Sequence, residues 1–395
     1  MEYRTLGSCT VSRLGLGAMR LPTLGQGGPI DEPAARALIR RALEGGITYF
    51  DTAYRYHNGA SELLLGQVLN EYPRAQWHLA TKFPGHMMQI RNGRVEMQGY
   101  LSGLDVSSPA TIFEDQLARC GVDYFDYYLL HNLCESSYDT YTDADFGVVA
   151  YLEEQRAAGR IRHLGFSSHG RTETIARFLD WRPDTFEFVQ LQLNYLDWTL
   201  QDAAAKYALL AERGLPVLVM EPVRGGYLAN PAPQAAELLR AARPEASFAS
   251  WALRFVQDLP QVAVVLSGMS TLAQLEENLQ LFDAPQPLSA GDRQVLQQVT
   301  DSLVNLVPCT ACRYCCETCP QELDIPALIA LYNELSFEPT ASVFFALQAL
   351  GEADMPANCI ACEACMQVCP QMIEVPRVLA ELDERITAFR AARPR

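Results

Sequence analysis

The sequence lacks the features that would place it in a membrane or on nucleic acid. No apolar run in its 395 residues is long enough to cross a bilayer, and the first residues do not show the charged-then-apolar order of a signal peptide. Basic residues are scarce, because 31 Lys and Arg stand against 47 Asp and Glu, a formal net charge of -16. This balance argues against nucleic acid and anionic membrane surfaces as partners. We therefore expect a cytoplasmic protein.

Cysteine is plentiful but unevenly placed. Of the twelve Cys residues, eight lie in two tight clusters in the last quarter of the chain. In a small secreted domain such a content suggests disulfides, whereas in a cytoplasmic chain clustered thiols bind metal. The length also exceeds that of one ordinary domain. The sequence predicts a large domain over residues 1–300 and a smaller, metal-binding domain over residues 301–395.

The first three hundred residues alternate short apolar runs with longer amphipathic stretches, which is typical of repeated β-α units. The apolar runs predict eight core strands, over residues 14–19, 47–51, 77–82, 125–131, 161–167, 187–194, 216–221 and 261–267. Helical stretches between them include residues 32–44, 60–69, 111–120 and 202–213. This order predicts an α/β fold of the (β/α)8 TIM-barrel type, with a doubly wound open sheet as the alternative. The residues up to Ser12 predict a small hairpin that closes the bottom of the barrel.

Most of the predicted strands end in a polar residue. These strand-end residues are Asp51, Lys82, His131, Ser167, Asn194, Glu221 and Ser267. In a barrel such positions converge on the C-terminal face, where active sites lie. Taken alone, Asp51 can cap the next helix and Tyr56, on the same loop, can be a surface aromatic. Asp, Tyr, Lys and His together on one rim instead predict a catalytic site.

The chain resembles the aldo-keto reductase superfamily over roughly residues 1–290. The motifs that carry the resemblance are GITYFDTAYRY, HLATK, DYYLLH, GRIRHLGFS, VQLQLNY, VMEPVRGG and SGMSTLAQLEENL. The resemblance implies an NAD(P)-dependent oxidoreductase that acts on a small carbonyl or alcohol substrate. It also implies a catalytic tetrad of Asp51, Tyr56, Lys82 and His131.

The residue types of this tetrad suit hydride transfer to a carbonyl. Hydride delivery leaves an alkoxide that needs a proton, and Tyr56 can donate it. A phenol with a pKa of about 10 is a weak acid, so we expect the ammonium of Lys82 to lower the pKa of Tyr56. Asp51 would hold Lys82 charged and in place. His131 would orient the carbonyl oxygen and share its developing charge.

The sequence has no Gly-rich turn of the Rossmann type, and the resemblance implies that the dinucleotide lies extended across the barrel rim. The implied contacts are Gly17, Ala18 and Met19 after the first strand, Ser167 and Gln190 at the carboxamide, Met220 at the nicotinamide, Arg224, Gly225 and Gly226 near the pyrophosphate, and Glu277 and Asn278 at the adenine. Met269, Ser270 and Gln274 are further implied contacts. Gly268 and Gln274 stand where members that prefer NADPH place Lys and Arg. We therefore expect NADH to be used at least as well as NADPH.

The last quarter of the chain contains two copies of the pattern C-x2-C-x2-C-x3-C-P, which is typical of bacterial ferredoxins. The copies comprise Cys309, Cys312, Cys315 and Cys319, and Cys359, Cys362, Cys365 and Cys369. Structural zinc is the rival interpretation, but it gives no reason for the proline after each fourth Cys. The sequence predicts two [4Fe–4S] clusters in a mainly helical ferredoxin-like domain, with helices over residues 326–335, 340–350 and 376–389. The chain thus resembles a subgroup of aldo-keto reductases fused to such a domain.

The resemblance to two-cluster ferredoxins also implies how the cysteines are shared, since there the fourth Cys of each run ligates the other run's cluster. One cluster would bind Cys309, Cys312, Cys315 and Cys369, and the other Cys359, Cys362, Cys365 and Cys319. Cys316, beside Cys315, is an uncertain ligand.

Three functions stay open at this stage. The leading one is a reductase whose clusters transfer electrons, with a redox partner protein as a second expected partner. The alternatives are an electron carrier whose barrel is a docking module, and a reductase with purely structural clusters.

The loop over residues 83–109 is long enough for a substrate lid or a surface insertion. Cys9, Cys120 and Cys134 are expected to be packed thiols.

Overall fold

The computed structural model describes residues 1–25, 28–91, 94–97, 106–303, 307, 309, 313–336, 341–369 and 371–392. The strands are β1 (Tyr3–Leu6), β2 (Cys9–Ser12), β3 (Leu14–Gly17), β4 (Tyr49–Asp51), β5 (His78–Phe83), β6 (Met88–Arg91), β7 (Arg94–Met97), β8 (Phe125–Leu133), β9 (Ile161–Ser168), β10 (Val189–Gln192), β11 (Val217–Met220) and β12 (Val262–Ser267). Eight of them, β3, β4, β5 and β8 to β12, close into a barrel in which all neighbours are parallel. The predicted TIM barrel is confirmed, and every predicted strand is present with ends shifted by at most two residues.

The helices lie outside the barrel and in the C-terminal region. They are α1 (Glu32–Glu44), α2 (Ala60–Leu69), α3 (Pro109–Cys120), α4 (Tyr138–Thr142), α5 (Val148–Ala157), α6 (Thr172–Trp181), α7 (Asp197–Leu200), α8 (Ala203–Glu212), α9 (Pro233–Ala242), α10 (Phe248–Gln257), α11 (Leu272–Asp283), α12 (Ala290–Leu303), α13 (Tyr314–Glu317), α14 (Ile325–Glu334), α15 (Ala341–Ala349), α16 (Ala364–Gln367) and α17 (Val375–Ala391). Within the part of the chain that the structure describes, none of these helices has the length and apolar character needed to span a membrane.

Strand register sets the position of the candidate site. Asp51 of β4 pairs with Ala80 of β5, and Lys82 follows two residues later on the same strand. Because side chains two residues apart on a strand point to the same side, Ala80 and Lys82 both face the barrel interior, where Ala80 belongs to the inner core. Asp51 and Lys82 therefore meet at the C-terminal end of the barrel.

The bottom of the barrel is closed by the hairpin of β1 and β2, as predicted. Leu6, Cys9 and Val11 pack in one cluster with inner barrel side chains, and the Tyr127 hydroxyl donates to the Leu6 carbonyl at 3.0 Å. The three cysteines expected to be packed thiols, Cys9, Cys120 and Cys134, are all buried. This end of the barrel is filled by apolar side chains, which leaves the opposite rim for ligands.

The loop over residues 83–109 is partly folded. It contains a short 3-10 helix over Gly85–Met87 and the antiparallel pair β6 and β7, while residues 92–93 and 98–105 lie outside the described residues. Met88 is buried, and the Thr140 hydroxyl of α4 donates to its carbonyl at 3.3 Å. The described part of the loop is therefore a hairpin packed against α4.

The C-terminal region has its own hydrophobic core, built mainly from α14 and α17. The short helices α13 and α16 each follow a residue in the left-handed region, Arg313 with φ 65° and Glu363 with φ 62°, so the two cysteine runs fold alike. Helix α15, predicted over residues 340–350, lies between the runs. Its Ser342 hydroxyl accepts from Gln201 Nε2 of the barrel at 2.7 Å, so α15 contacts the barrel directly.

Candidate active site and cluster sites

Lys82 connects the candidate catalytic residues. Its Nζ donates to Asp51 Oδ1 at 2.6 Å and to the Thr52 carbonyl at 2.7 Å, and it lies 3.4 Å from the Tyr56 hydroxyl. The ring of His131, near the end of β8, stands edge-on to the Tyr56 ring with centroids 5.8 Å apart. The structure thus brings together all four residues that the sequence singled out, Asp51, Tyr56, Lys82 and His131.

Burial controls the protonation of this group. Burial alone would lower the pKa of Lys82, but the charge of Asp51 and the hydrogen bonds to Asp51 and Tyr56 outweigh it, and the net shift is upward. Burial raises the pKa of Tyr56, and the charge of Lys82 offsets only part of that rise. Lys82 lowers the pKa of Tyr56 as expected, but the larger effect of burial makes the net shift upward. Burial lowers the pKa of His131 far below its ordinary value, so its ring is neutral at pH 7.

A cavity of about 440 Å³ opens above the tetrad and extends along the rim. Asp51, Tyr56 and His131 line it, whereas Lys82 lies fully buried beneath. The predicted cofactor contacts that line the cavity are Gly17, Met19, Gln190, Met220, Gly225, Gly226, Met269, Ser270, Gln274, Glu277 and Asn278. The cavity therefore joins the tetrad to most of the predicted dinucleotide contacts.

The end of the cavity near the tetrad offers an unsatisfied amide. Gln190 Nε2 lies 3.6 Å from the Met220 sulfur, while its Oε1 is buried with no hydrogen-bond partner among the described residues. A buried acceptor without a donor indicates a ligand group that donates, as a carboxamide does. Besides Arg224, two predicted contacts, Ser167 and Ala18, are not among the residues that line the cavity. Ser167 accepts from the Asn132 amide at 2.8 Å, and the Ala18 carbonyl accepts from the Ser61 hydroxyl at 3.2 Å.

Arg224 does not occupy the position predicted for it near the pyrophosphate. Its Nε donates to Asp197 Oδ1 at 2.9 Å, both side chains are completely buried, and Arg224 is not among the residues that line the cavity. The physical reason is the buried Asp197 carboxylate, which draws the guanidinium inward. The placement of Arg224 at the pyrophosphate is therefore corrected.

Arg20 lines the cavity, although no sequence pattern singled it out. A Cβ added at Gly268 would come within 3.1 Å of the Arg20 side chain, and one added at Gly225 would lie 3.0 Å from its Nη2. Gly225 and Gly226 have φ values of 67° and 104°, a conformation that glycine adopts without strain. Only its position in the sequence could have indicated this role, because Arg20 follows Met19 directly after the first barrel strand. The two glycines and the guanidinium form a cradle suited to a phosphate group.

The far end of the cavity is polar, and positions 268 and 274, where the sequence analysis looked for Lys or Arg, carry Gly and Gln. Gln274 Oε1 accepts from the Ser270 amide at 2.8 Å, and Asn278 Nδ2 donates to the Ser267 hydroxyl at 3.0 Å. Glu277 accepts a hydrogen bond from the Ser247 hydroxyl. Gly268 and Gln274 both line the cavity.

The cysteines of the C-terminal region surround two cavities. Cys309, Cys315 and Cys369 line the first, and Cys319, Cys359, Cys362 and Cys365 line the second. Each cavity therefore combines cysteines from both runs, in the crossed grouping that the sequence predicts. Cys312 lies outside the described residues, and Cys316 is not among the described residues that line either cavity. The donor set fits clusters bound by thiolates from both runs.

Comparison with known proteins agrees with this architecture. The model of the aldo/keto reductase family matches residues 13–300, and that of a 4Fe-4S dicluster domain matches residues 308–373. The chain belongs to the aldo/keto reductase family of oxidoreductases, and it carries an iron–sulfur domain after the barrel. The resemblance noted from the sequence motifs is thereby confirmed.

Individual relatives match the barrel at moderate identity. L-galactose dehydrogenase of Arabidopsis thaliana is 27% identical over 322 residues, 76% of this chain and 93% of that protein. NADH-specific methylglyoxal reductase of Escherichia coli is 28% identical over 227 residues, 55% of this chain and 66%, slightly less than two thirds, of that protein. Among solved structures, the holo form of aldo-keto reductase AKR11C1 from Bacillus halodurans aligns with a TM-score of 0.59 and 30% identity, over 76% of this chain and 96% of that one.

Proposed function

We propose that the chain is an NAD(P)H-dependent reductase of small carbonyl compounds, able to run in reverse on the alcohols. The observation that carries this proposal is the position of Lys82 Nζ, 2.6 Å from Asp51 and 3.4 Å from the Tyr56 hydroxyl, beneath a cavity that Tyr56 and His131 line. When bound, the dinucleotide supplies the hydride. The side chains of the tetrad manage the proton and the charge that accompany it.

In this proposal Tyr56 donates its proton to the alkoxide. Burial makes the free phenolate costly, so the charged Lys82 is needed to stabilise Tyr56 once it has lost its proton. Asp51 holds that ammonium in position. A neutral His131 ring donates a hydrogen bond to the carbonyl oxygen without adding a buried charge.

The dinucleotide would lie along the cavity with Gln190 at its carboxamide and Arg20, instead of Arg224, at its pyrophosphate. Arg20 and the flanking Gly225 and Gly226 offer charge and close approach. Positions 268 and 274 themselves offer no Lys or Arg to the extra phosphate of NADPH, so NADH is used at least as well. The name of the methylglyoxal reductase from E. coli, which specifies NADH, fits this choice.

The C-terminal region, taken as a domain over residues 301–395 after a barrel over residues 1–300, would hold two [4Fe–4S] clusters. One is ligated by Cys309, Cys312, Cys315 and Cys369, and the other by Cys359, Cys362, Cys365 and Cys319. When bound, such clusters supply one-electron transfer, for which a redox partner protein is the expected donor or acceptor. Cluster thiolates of this kind suit the reducing cytoplasm.

A structural role for the clusters is the second candidate, because α15 lies between the two cysteine runs and reaches the active-site cavity. Ala341 and Phe345 of α15 line that cavity. Clusters that tie the two runs together would also hold this helix against the barrel. Reductase activity that survives with the clusters fixed in one oxidation state would favour this role over electron transfer.

The experiment that tests the reductase proposal is Tyr56→Phe, measured anaerobically with NADH and a panel of small aldehydes and ketones. We expect turnover to fall by at least ~10², the usual effect of removing a general acid, with dinucleotide affinity and iron content unchanged. Tyr54→Phe is the matched control, since Tyr54 is buried two residues away and donates to Asp115 instead. Full carbonyl reduction by Tyr56→Phe would show that the tetrad is misassigned and would favour the docking-module alternative.

A further inference from the structure

One wall of the active-site cavity is built by residues from both regions of the chain. The His86 ring lies 4.4 Å from that of His131 between centroids, and the Phe345 ring stands edge-on to His86 at 5.4 Å. Phe345 also stacks on His169 at 5.7 Å with an interplanar angle of 28°. Because Phe345 belongs to α15, between the two cysteine runs, the cluster-bearing region supplies part of the wall that faces the tetrad.

The imidazoles of this wall are neutral and offer unused nitrogen atoms. Burial lowers the pKa of His86 to about 4 and the pKa of His169 to about 3. A neutral imidazole keeps one ring nitrogen as a hydrogen-bond acceptor. Within the described part of the chain, Nδ1 of His86 and Nδ1 of His169 are buried with no hydrogen-bond partner.

Such atoms indicate the chemistry of the ligand. A buried acceptor without a donor is unfavourable, and a ligand hydroxyl at that position would supply the missing hydrogen bond. The adjacent Phe345 ring offers an apolar face for the carbon skeleton that carries the hydroxyl. Arg55 lines the same cavity and contributes a positive charge, so a substrate carboxylate is the competing chemistry that an experiment has to separate.

We propose, resting on the reductase function above, that the substrate is a hydroxylated carbonyl compound or the corresponding polyol. Its hydroxyl donates to Nδ1 of His86, and its carbon skeleton packs against Phe345. Helix α15 is held to the barrel by the bond between Gln201 and Ser342, and Arg171 pairs with Asp324 at 3.3 Å just before α14. Phe345 is therefore a specificity-determining residue contributed by the iron–sulfur region.

The first test uses the holoprotein and pairs of aldehydes that differ only by a hydroxyl beside the carbonyl. Wild type should prefer the hydroxylated member by roughly 10- to 100-fold in kcat/KM, and His86→Phe should remove that preference. His86→Gln, which keeps an acceptor, should restore part of it. Equal rates on both members of each pair, or a preference that follows a carboxylate instead, would overturn the proposal.

The second test concerns Phe345. Phe345→Ala should raise KM for the hydroxylated substrate by roughly 10-fold while kcat, dinucleotide affinity and iron content stay near wild type. Phe344→Ala is the matched control on the same helix, because Phe344 does not line the cavity. An unchanged KM in Phe345→Ala would refute the role of α15. If Tyr56→Phe is inactive while the His86 and Phe345 variants behave as wild type, this inference fails and the reductase function stands.

Discussion

Arg224 Nε and Asp197 Oδ1 form a completely buried ion pair, 2.9 Å long, at the start of the glycine turn that lines the cavity. Asp197 also accepts from Gln192 Nε2 at 2.8 Å and from Asn194 Nδ2 at 2.6 Å. This carboxylate therefore ties β10, α7 and the segment after β11 together. Arg224 stabilises the fold at this point, whereas Arg20 lines the cavity.

The two arginines should respond differently to removal. Arg224→Ala leaves the charge of Asp197 buried and unpaired, so we expect a loss of about 3–5 kcal/mol in the free energy of unfolding. Arg20→Ala removes an exposed cation and should weaken dinucleotide binding by roughly tenfold with little change in stability. Urea unfolding and fluorescence titration with NADH measure the two effects. If Arg20→Ala still binds NADH tightly, the pyrophosphate does not bind at Arg20.

The crossed cysteines predict that neither run can build a cluster alone. Truncation after residue 340 removes Cys369 from the first cavity, so the shortened chain should hold no intact cubane. In the full chain, Cys319→Ser should disturb the cluster of the second run. Cys316→Ser, in the same run but not among the described residues that line either cavity, should leave about eight irons bound. Iron analysis and visible absorption report both results. About four irons on the truncated chain would mean that the first run closes its own cluster, with Cys316 as the candidate fourth ligand.

Stability should fall in mild acid because of the buried imidazoles. The pKa of His86 is about 4 in the folded chain against an ordinary value of 6.5, so the unfolded chain binds more protons between those values and stability rises with pH there. Between about pH 7.5 and about pH 5, wild type should lose roughly 2 kcal/mol more than His86→Gln. Urea midpoints at both pH values give the comparison, and the measurement near pH 7.5 corrects for any direct effect of the substitution. Equal losses in both proteins would show that His86 is protonated in the folded state.

The barrel and the tetrad were predictable because their signals are local. Apolar runs ending in Asp51, Lys82 and His131 mark strands whose C-terminal ends converge, and the cysteine spacings identify the iron–sulfur region without any tertiary information. Predictions from the sequence fail where the behaviour of a residue depends on groups that are distant from it along the chain. The burial of Arg224 depends on Asp197 of another element, and the pKa of Tyr56 depends on how completely the surrounding chain excludes water.

The cavity wall formed by His169 and Phe345 also could not be predicted from the sequence. These residues are far apart along the chain, and each lies in a stretch that periodicity explains as an ordinary loop or helix. Arg20 gave a weak positional signal only, because it follows a barrel strand in a short turn. Contacts between the barrel and the cluster-bearing region require the assembled fold.

The most direct test of the central claim is the origin of the hydrogen that reaches the product carbon. The holoprotein is supplied anaerobically with NADH that carries deuterium at both C4 positions, and the alcohol product is analysed by mass spectrometry and NMR. Direct hydride transfer beside Tyr56 predicts one deuterium on the carbinol carbon of each product molecule, with the Tyr56→Phe variant forming the same labelled product far more slowly. Product that carries solvent hydrogen at that carbon would contradict direct transfer and show that the electrons travel separately from the proton.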